Sequence, residues 1–317
     1  MYGLKTEALL DLPARYFSLE SYEGGVARWC PGCGDHGVLS AVQRICRDEQ
    51  IPPEKLVAVS GIGCSSRFPH YMHAYGFHGL HGRALPVASG IKSRRPDLDV
   101  WVATGDGDCC SIGAGHWLHA IRYNMDMVVM LFDNNVYGLT KKQTSPTSPQ
   151  GMATNTHPEG SWLPPLNVLS ATLGFTNVSF VARTVDWSPA HLYQTLARAH
   201  RHRGLSFVHI LQRCPAFTAD LFDALRRDPD QILVLEHEEG VPVDSQMAKM
   251  FTHRRHHDPT DLGAARELAE HPERIPIGLF YLDEQAPRYE EFTIRGMGMS
   301  VEDKLEAMNR ELDQFAI

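Results

Sequence analysis

Two sets of residues in this sequence have types and spacings that could do chemistry. The first is rich in oxygen. Gly105-Asp106-Gly107-Asp108 follows one apolar run and Asp133-Asn134-Asn135 follows the next, with 26 residues separating Gly107 from Asn134. Magnesium takes about six oxygens in octahedral array and commonly combines one or two carboxylates with phosphate oxygens. Asp106 offers a carboxylate and Asn134 a side-chain carbonyl, and phosphate oxygens with water could complete such a shell. Gly105 and Gly107 let backbone N–H groups approach a phosphate, and a helix opening near Gly113 adds a favourable dipole. A Gly-Asp-Gly tripeptide alone is an ordinary turn. The pair, each half following its own strand candidate, is what points to an ion. Asp108 has a simpler reading as the cap of the following helix.

The second set is sulfur. Cys30, Cys33, Cys46, Cys64, Cys109, Cys110 and Cys214 make an odd number without a recognisable export signal over Met1–Tyr16, which argues for metal or redox use over a disulfide framework. Trp29-Cys30-Pro31-Gly32-Cys33-Gly34 sets two thiols in a turn suited to metal capture, and Cys64 and Cys214 could complete four ligands. Zinc ligands more often come as two closely spaced pairs, whereas four thiolates also serve a 4Fe-4S cluster. Cys46, within a helical stretch, and Cys109 and Cys110, beside the Asp106 motif, read as small buried hydrophobes. His70, His73, His78 and His81 are irregularly spaced among aromatics, which favours loop packing or substrate contact over a second metal site. His253, His256 and His257 fall in a charged stretch expected to face water.

The 317 residues, 43% hydrophobic and 21% charged, suit a globular chain, and no run of some eighteen apolar residues is present to span a bilayer. A net charge of -8 argues against a nucleic-acid partner. The local cations Lys92 to Arg95 read as solvated helix ends. These features together lead to the expectation of a cytoplasmic protein without membrane or nucleic-acid partners.

Those side chains need a scaffold, and the pattern supplies one. Strand candidates at 55–59, 99–104, 127–132, 177–181 and 205–211 alternate with helical spacing at 37–47, 83–93, 113–123 and 189–202. Such alternation predicts an α/β fold, a mostly parallel sheet covered by helices on both faces. Ligands bind beyond the carboxyl ends of strands in such sheets. Cys64, Asp106, Asn134 and Cys214 all follow strand candidates, so one edge of the sheet should carry them. Residues 1–220 are expected to form this domain. Residues 221–317 read as a C-terminal arm or small lobe, with a helix at 300–315 capped by Ser300 and Asp303.

With these residues placed, the chain resembles the β subunits of 2-oxoacid:ferredoxin oxidoreductases, particularly the 2-oxoglutarate type. The resemblance runs from about Trp29 to Phe217. It rests on the Trp29–Gly34 turn, Gly61-Ile62-Gly63-Cys64-Ser65, His81-Gly82-Arg83-Ala84, Gly105–Asp108 and Tyr137-Gly138-Leu139-Thr140. It implies a thiamine diphosphate-binding fold. Thiamine diphosphate would be held by Gly63, Cys64, Ser65, Gly105, Asp106, Gly107, Asp108, Asn134, Val136, Tyr137, Gly138 and Leu139. Mg2+ would sit on Asp106, Asn134 and Val136, and one 4Fe-4S cluster on Cys30, Cys33, Cys64 and Cys214. The chain departs from pyruvate-type members, which read Thr-Gly-Gly-Gln where it reads Thr140-Lys141-Lys142-Gln143, followed by Ser145-Pro146-Thr147-Ser148. A lysine there resembles versions that accept 2-oxoglutarate, and substrate contacts are expected from Arg67, His81 and Lys141.

The implied reaction is coenzyme A-dependent oxidative decarboxylation of 2-oxoglutarate to succinyl-CoA and CO2, with electrons passed to ferredoxin, or its reverse. The glutamate that such enzymes place on the cofactor is expected from an α subunit, alone or fused with a γ subunit, in an αβ dimer of dimers. No catalytic acid or base is assigned in this chain. The alternatives are a pyruvate or broad 2-oxoacid enzyme, a cluster-free thiamine decarboxylase or carboligase, and a non-catalytic zinc-binding scaffold.

Overall fold

The computed structural model describes residues 16–293 and 299–315. The stretch Met1–Tyr16, expected to carry no export signal, lies outside them except for Tyr16. Apolar runs make the strands β1 (Leu56–Ser60), β3 (Asp99–Gly105) and β4 (Met127–Asp133), separated from β1 by the exposed strand β2 (Tyr75–His78). β5 (Phe180–Val185) and β6 (Leu205–Leu211) follow, then β7 (Ile232–Glu236), β8 (Arg254–His256) and β9 (Ile275–Leu282). All seven residues of β4 are buried, the mark of a strand covered on both faces.

The sheet order is β2-β1-β3-β4-β6-β5-β9-β7-β8. Its first six strands run parallel, and β9 joins antiparallel to β5. Helices α1 (Asp35–Asp48) and α5 (Pro189–Arg201) cover one face; α2 (Ala84–Arg94), α3 (Ala114–Tyr123) and α4 (Val168–Leu173) cover the other. Alternate residues of one strand feed the two cores. Met130 and Phe132 pack toward α1 and α5, while Val129 and Leu131 pack toward α2, α3 and α4.

The segment expected as an arm or lobe supplies β7, β8 and β9 to the same sheet, around a small core of Phe222, Ile232, Val234, Phe251 and Ile277 with Val185 and Leu211. Pairing with β9 covers an edge that β5 would otherwise present to solvent. The helix Val301–Asp313 begins at Ser300 with both halves of a capping box. Among the described residues no helix is long and apolar enough to cross a membrane.

Three local expectations are corrected. The strand expected at 177–181 starts at Phe180, because Asn177 is left-handed, with φ 68°. Lys92 is buried, donating to the carbonyls of Pro96 and Leu98 beyond the end of α2. His257 is buried too, with Nε2 2.7 Å from the Phe280 carbonyl oxygen.

Candidate active site

Beyond the carboxyl ends of β1, β3 and β4 lies a cavity of about 210 Å³ lined by Gly63, Ser65, Gly105, Asp106, Asn134 and Val136, among others. Asp106 is only 3% exposed, and burial first, then the neighbouring Asp133, pushes its carboxyl above the usual range. Two buried carboxylates this close have a local need for positive charge, which a divalent ion would meet. The donor set of Asp106 and Asn134 is the hard-oxygen kind magnesium takes, so the residues fit the group.

Asp108 is no helix cap. It accepts hydrogen bonds from the Ile62 and Gly82 N–H groups and from Thr104 Oγ1, and its Oδ1 lies 2.6 Å from His81 Nδ1. Gly107 is required by a close approach: a Cβ there would meet Tyr137 Cε1 at 2.1 Å. Tyr137 lies across Gly107 and donates its hydroxyl to the Gly107 carbonyl. The turn from Tyr137 to Gln143 is closed by Lys142 N–H to the Tyr137 carbonyl and Tyr137 N–H to the Gln143 carbonyl. Inside it Lys141 and Lys142 both adopt left-handed backbone, with φ of 70° and 72°.

A second cavity, about 230 Å³, is lined by Cys30, Cys33, Cys64 and Cys214 together with Arg28, Arg67, Lys141 and Phe217. Its parts come from three distant stretches tied to one another. Trp29 Nε1 donates to the Cys64 carbonyl at 2.6 Å, Gly34 N–H to the Arg213 carbonyl, and Gln212 Nε2 reaches Cys33 Sγ at 3.3 Å. Burial, then Asp35 and the neighbouring thiols, pushes Cys64 up to about 12, and burial also raises Cys33. A cation at the thiols would reverse this. Among the described residues no three His, Cys, Asp or Glu side chains are grouped as a single ion would need. The four thiols line one space, and four thiolates are a donor set that suits a 4Fe-4S cluster.

The two cavities share Cys64, Asn134, Gly138 and Leu139 as a common wall. A methyl group on Gly138 would lie 3.5 Å from Cys64 Sγ. Thr218 donates its hydroxyl to the Asn134 carbonyl and its N–H to the Cys214 carbonyl, which links the corner beyond β4 to the last thiol.

The residues expected for cofactor and ion, Gly63 to Ser65, Gly105 to Asp108, Asn134 and Val136 to Leu139, all line the first cavity. Of the three expected at substrate, Arg67 and Lys141 line the thiol cavity and His81 the other one. Cys46 is wholly buried in α1, and Cys109 and Cys110 are buried in the opposite core. Sequence reading gave no role to Arg28, Asp35 or His209, and named Asp133 only as part of its motif. Arg28 directly precedes the Trp29–Cys30 turn and Asp35 directly follows it, a positional signal; nothing in the sequence announces His209.

Two family models match: the C-terminal, cofactor-binding domain of thiamine pyrophosphate enzymes over residues 61–210, and the C-terminal part of the pyruvate ferredoxin oxidoreductase β subunit over 247–294. The chain is 46% identical over 216 residues to 2-oxoglutarate oxidoreductase subunit KorB of Mycobacterium tuberculosis, a match covering 68% of this chain and 58% of that one. It is 37% identical to a 2-oxoacid:ferredoxin oxidoreductase β subunit of Saccharolobus solfataricus, covering 83% and 84%. Among solved structures, 2-oxoglutarate:ferredoxin oxidoreductase from Magnetococcus marinus, with 2-oxoglutarate, coenzyme A and succinyl-CoA bound, superposes with a TM-score of 0.76 at 36% identity, over 93% of this chain and 97% of that one.

Proposed function

The chain belongs to the family of 2-oxoacid:ferredoxin oxidoreductase β subunits, and from that premise we propose that, with an α subunit, it converts 2-oxoglutarate and coenzyme A to succinyl-CoA and CO2. The two electrons released go singly to ferredoxin, and the reverse reaction consumes them. The observation that carries this reading is the wall shared by the two cavities, one with hard oxygen donors and one with four thiols. Thiamine diphosphate, when bound, supplies a nucleophilic carbon and an electron sink, and a 4Fe-4S cluster supplies one-electron acceptance.

The chain's own residues then have separable tasks. Asp106, Asn134 and the Val136 carbonyl hold Mg2+ against the diphosphate. Asp108 orients His81 by accepting from Nδ1, which leaves Nε2 for the cavity. Cys30, Cys33, Cys64 and Cys214 hold the cluster, and Cys64 and Gly138 keep the path between the sites short. Lys141 and Arg67 face the loss of hydration that a second substrate carboxylate suffers on burial, and a charge-assisted hydrogen bond offsets it. A partner subunit closes the cofactor site, and the assembly is an αβ dimer of dimers in the cytoplasm.

Substrate choice is tested at Lys141. Alanine is subject to the same left-handed strain as lysine there, so the substitution compares side chains alone. Lys141→Ala is expected to raise KM for 2-oxoglutarate and lower kcat/KM at least ~10-fold, about 1.4 kcal/mol of transition-state binding. Pyruvate turnover should change much less. Equal losses on both substrates would assign the lysine to cofactor or fold and leave a pyruvate or broad 2-oxoacid enzyme as the better reading.

A further inference from the structure

The loop beyond β4 contains a turn whose side chains meet the ion-binding carboxylate from behind. Ser148 N–H donates to the Ser145 carbonyl, and Ser145 N–H donates to Ser148 Oγ at 2.9 Å. Ser148 Oγ in turn donates to the Asn135 carbonyl at 2.6 Å, and Asn135 Nδ2 donates to the Thr147 carbonyl at 3.0 Å. The turn is therefore closed on itself and fastened to the Asn134–Asn135 corner. From it, Ser145 Oγ and Thr147 Oγ1 both reach the same oxygen of Asp106, Oδ2, the threonine at 2.7 Å. Ser145 and Thr147 are themselves only 5% and 4% exposed, so water does not readily replace them.

Thr147 has a second contact. Its Oγ1 also lies 2.7 Å from Asp133 Oδ1, so its single proton is shared between two buried carboxylates that repel each other. Asp133 is held from its other side. His209 Nε2 lies 2.8 Å from Asp133 Oδ2, and Arg183 Nε donates to His209 Nδ1 at 3.2 Å. Because Nδ1 accepts from the arginine, the imidazole proton sits on Nε2 and points at Asp133. Asn135 supplies two more donors, its N–H and its Nδ2, to Asp133 Oδ1.

We propose that Thr147, with Ser145, is a positioning residue for the magnesium carboxylate: the two hydroxyls hold Asp106 by Oδ2 and so fix the carboxylate that would bind the ion. This rests on Asp106 being the ligand. Magnesium tolerates little departure from octahedral geometry. A carboxylate free to rotate, beside a second carboxylate no longer bridged to it, meets that demand less often. Partners of this kind behind a ligand are worth about 10- to 100-fold in metal affinity.

The test measures Mg2+-dependent binding of thiamine diphosphate by equilibrium dialysis, on the chain co-purified with its α subunit, and needs no turnover. Thr147→Val keeps the shape and removes the hydroxyl; Thr147→Ser keeps the hydroxyl and removes a methyl. Thr147→Val is expected to raise the Mg2+ concentration for half-maximal binding about 10- to 100-fold. Thr147→Ser should return it to within a few-fold of the parent, and Ser145→Ala should give a smaller rise. Iron content should stay at the parent value in all three. Half-saturation unchanged in Thr147→Val overturns the proposal, and so does a serine variant as weak as the valine, since that assigns the loss to packing. Asp106→Ala in the same assay separates the premise from the inference. Should it too bind with parent Mg2+ dependence, the ligand assignment itself has failed; should it lose binding while Thr147→Val does not, only the positioning role has.

Discussion

At the scale of single residues, the same side chain acquires different chemistry from its surroundings. Seven thiols have one reactivity in the sequence and at least two in the fold. Cys46 is wholly buried within α1 in an apolar core, where burial, then Asp99, pushes its thiol up. Cys64 is half-buried at the wall between two cavities, with Cys214 and Cys30 near enough to perturb it. Cys64→Ser and Cys214→Ser are each expected to cost most of the iron and acid-labile sulfide of anaerobically purified protein, with loss of the broad dithionite-bleachable absorbance. Cys46→Ser should keep both. An equal loss at Cys46 would mean that the thiols have been sorted wrongly.

At the scale of elements, the thiol cavity depends on a seam between the 30–34 turn and the ends of β5 and β6. Asp186, just past β5, accepts from the Arg213 N–H and pairs with the Arg213 guanidinium at 2.9 Å, with the carboxylate fully buried. Gly34 packs directly on that carboxylate. A Cβ at position 34 would lie 2.5 Å from Asp186 Oδ2, so Gly34→Ala must displace either the turn or the ion pair. Displacing the pair exposes a buried carboxylate to loss of its partner, which costs about 3–5 kcal/mol when complete and less when the turn moves instead. Gly34→Ala should therefore lower the denaturation midpoint and the iron content together. A variant with parent stability and parent iron would show that the seam yields without cost.

At the scale of the whole molecule, stability is coupled to pH through buried groups that line neither cavity. Burial pushes His191 down to about 4, and its Nε2 is enclosed without a hydrogen-bond partner among the described residues. Between pH 6.5 and 4 the unfolded chain binds a proton at this histidine that the folded chain refuses. Its contribution is therefore whole above pH 6.5 and lost as pH falls toward 4, on the order of 3 kcal/mol in all. Asp35, raised to about 7 by burial, has the opposite sign: its contribution is present at low pH and lost as pH rises through 7. The parent profile sums both, so the difference between the parent and His191→Gln isolates the histidine. That difference should shift in favour of the variant as pH falls from 6.5 to 4, read from urea midpoints at each pH. Parallel profiles would show that His191 is charged in the folded protein or freed from burial.

The sequence by itself determined the scaffold's parallel part and the residue types of the site. Short apolar runs such as Met127–Asp133, with β-branched and aromatic residues and bounded by polar turns, read as strands covered on both faces, and the residues following such parallel strands gather at one edge. What it could not determine depends on contacts between distant segments. The exposed edge strand Tyr75–His78 has no buried face to betray it, and β9 is placed against β5 by a pairing across almost a hundred residues. Lys92 reads as a surface cation until two carbonyls beyond its helix are seen to receive it. The division of Arg67, Lys141 and His81 between two cavities, and the bridge from Thr147 to both Asp106 and Asp133, exist only once the loop beyond β4 has folded back over the strand ends. Spacing along a chain reports which groups share a face of one element. The meeting of loops from different elements is set by packing, which the tertiary structure alone decides.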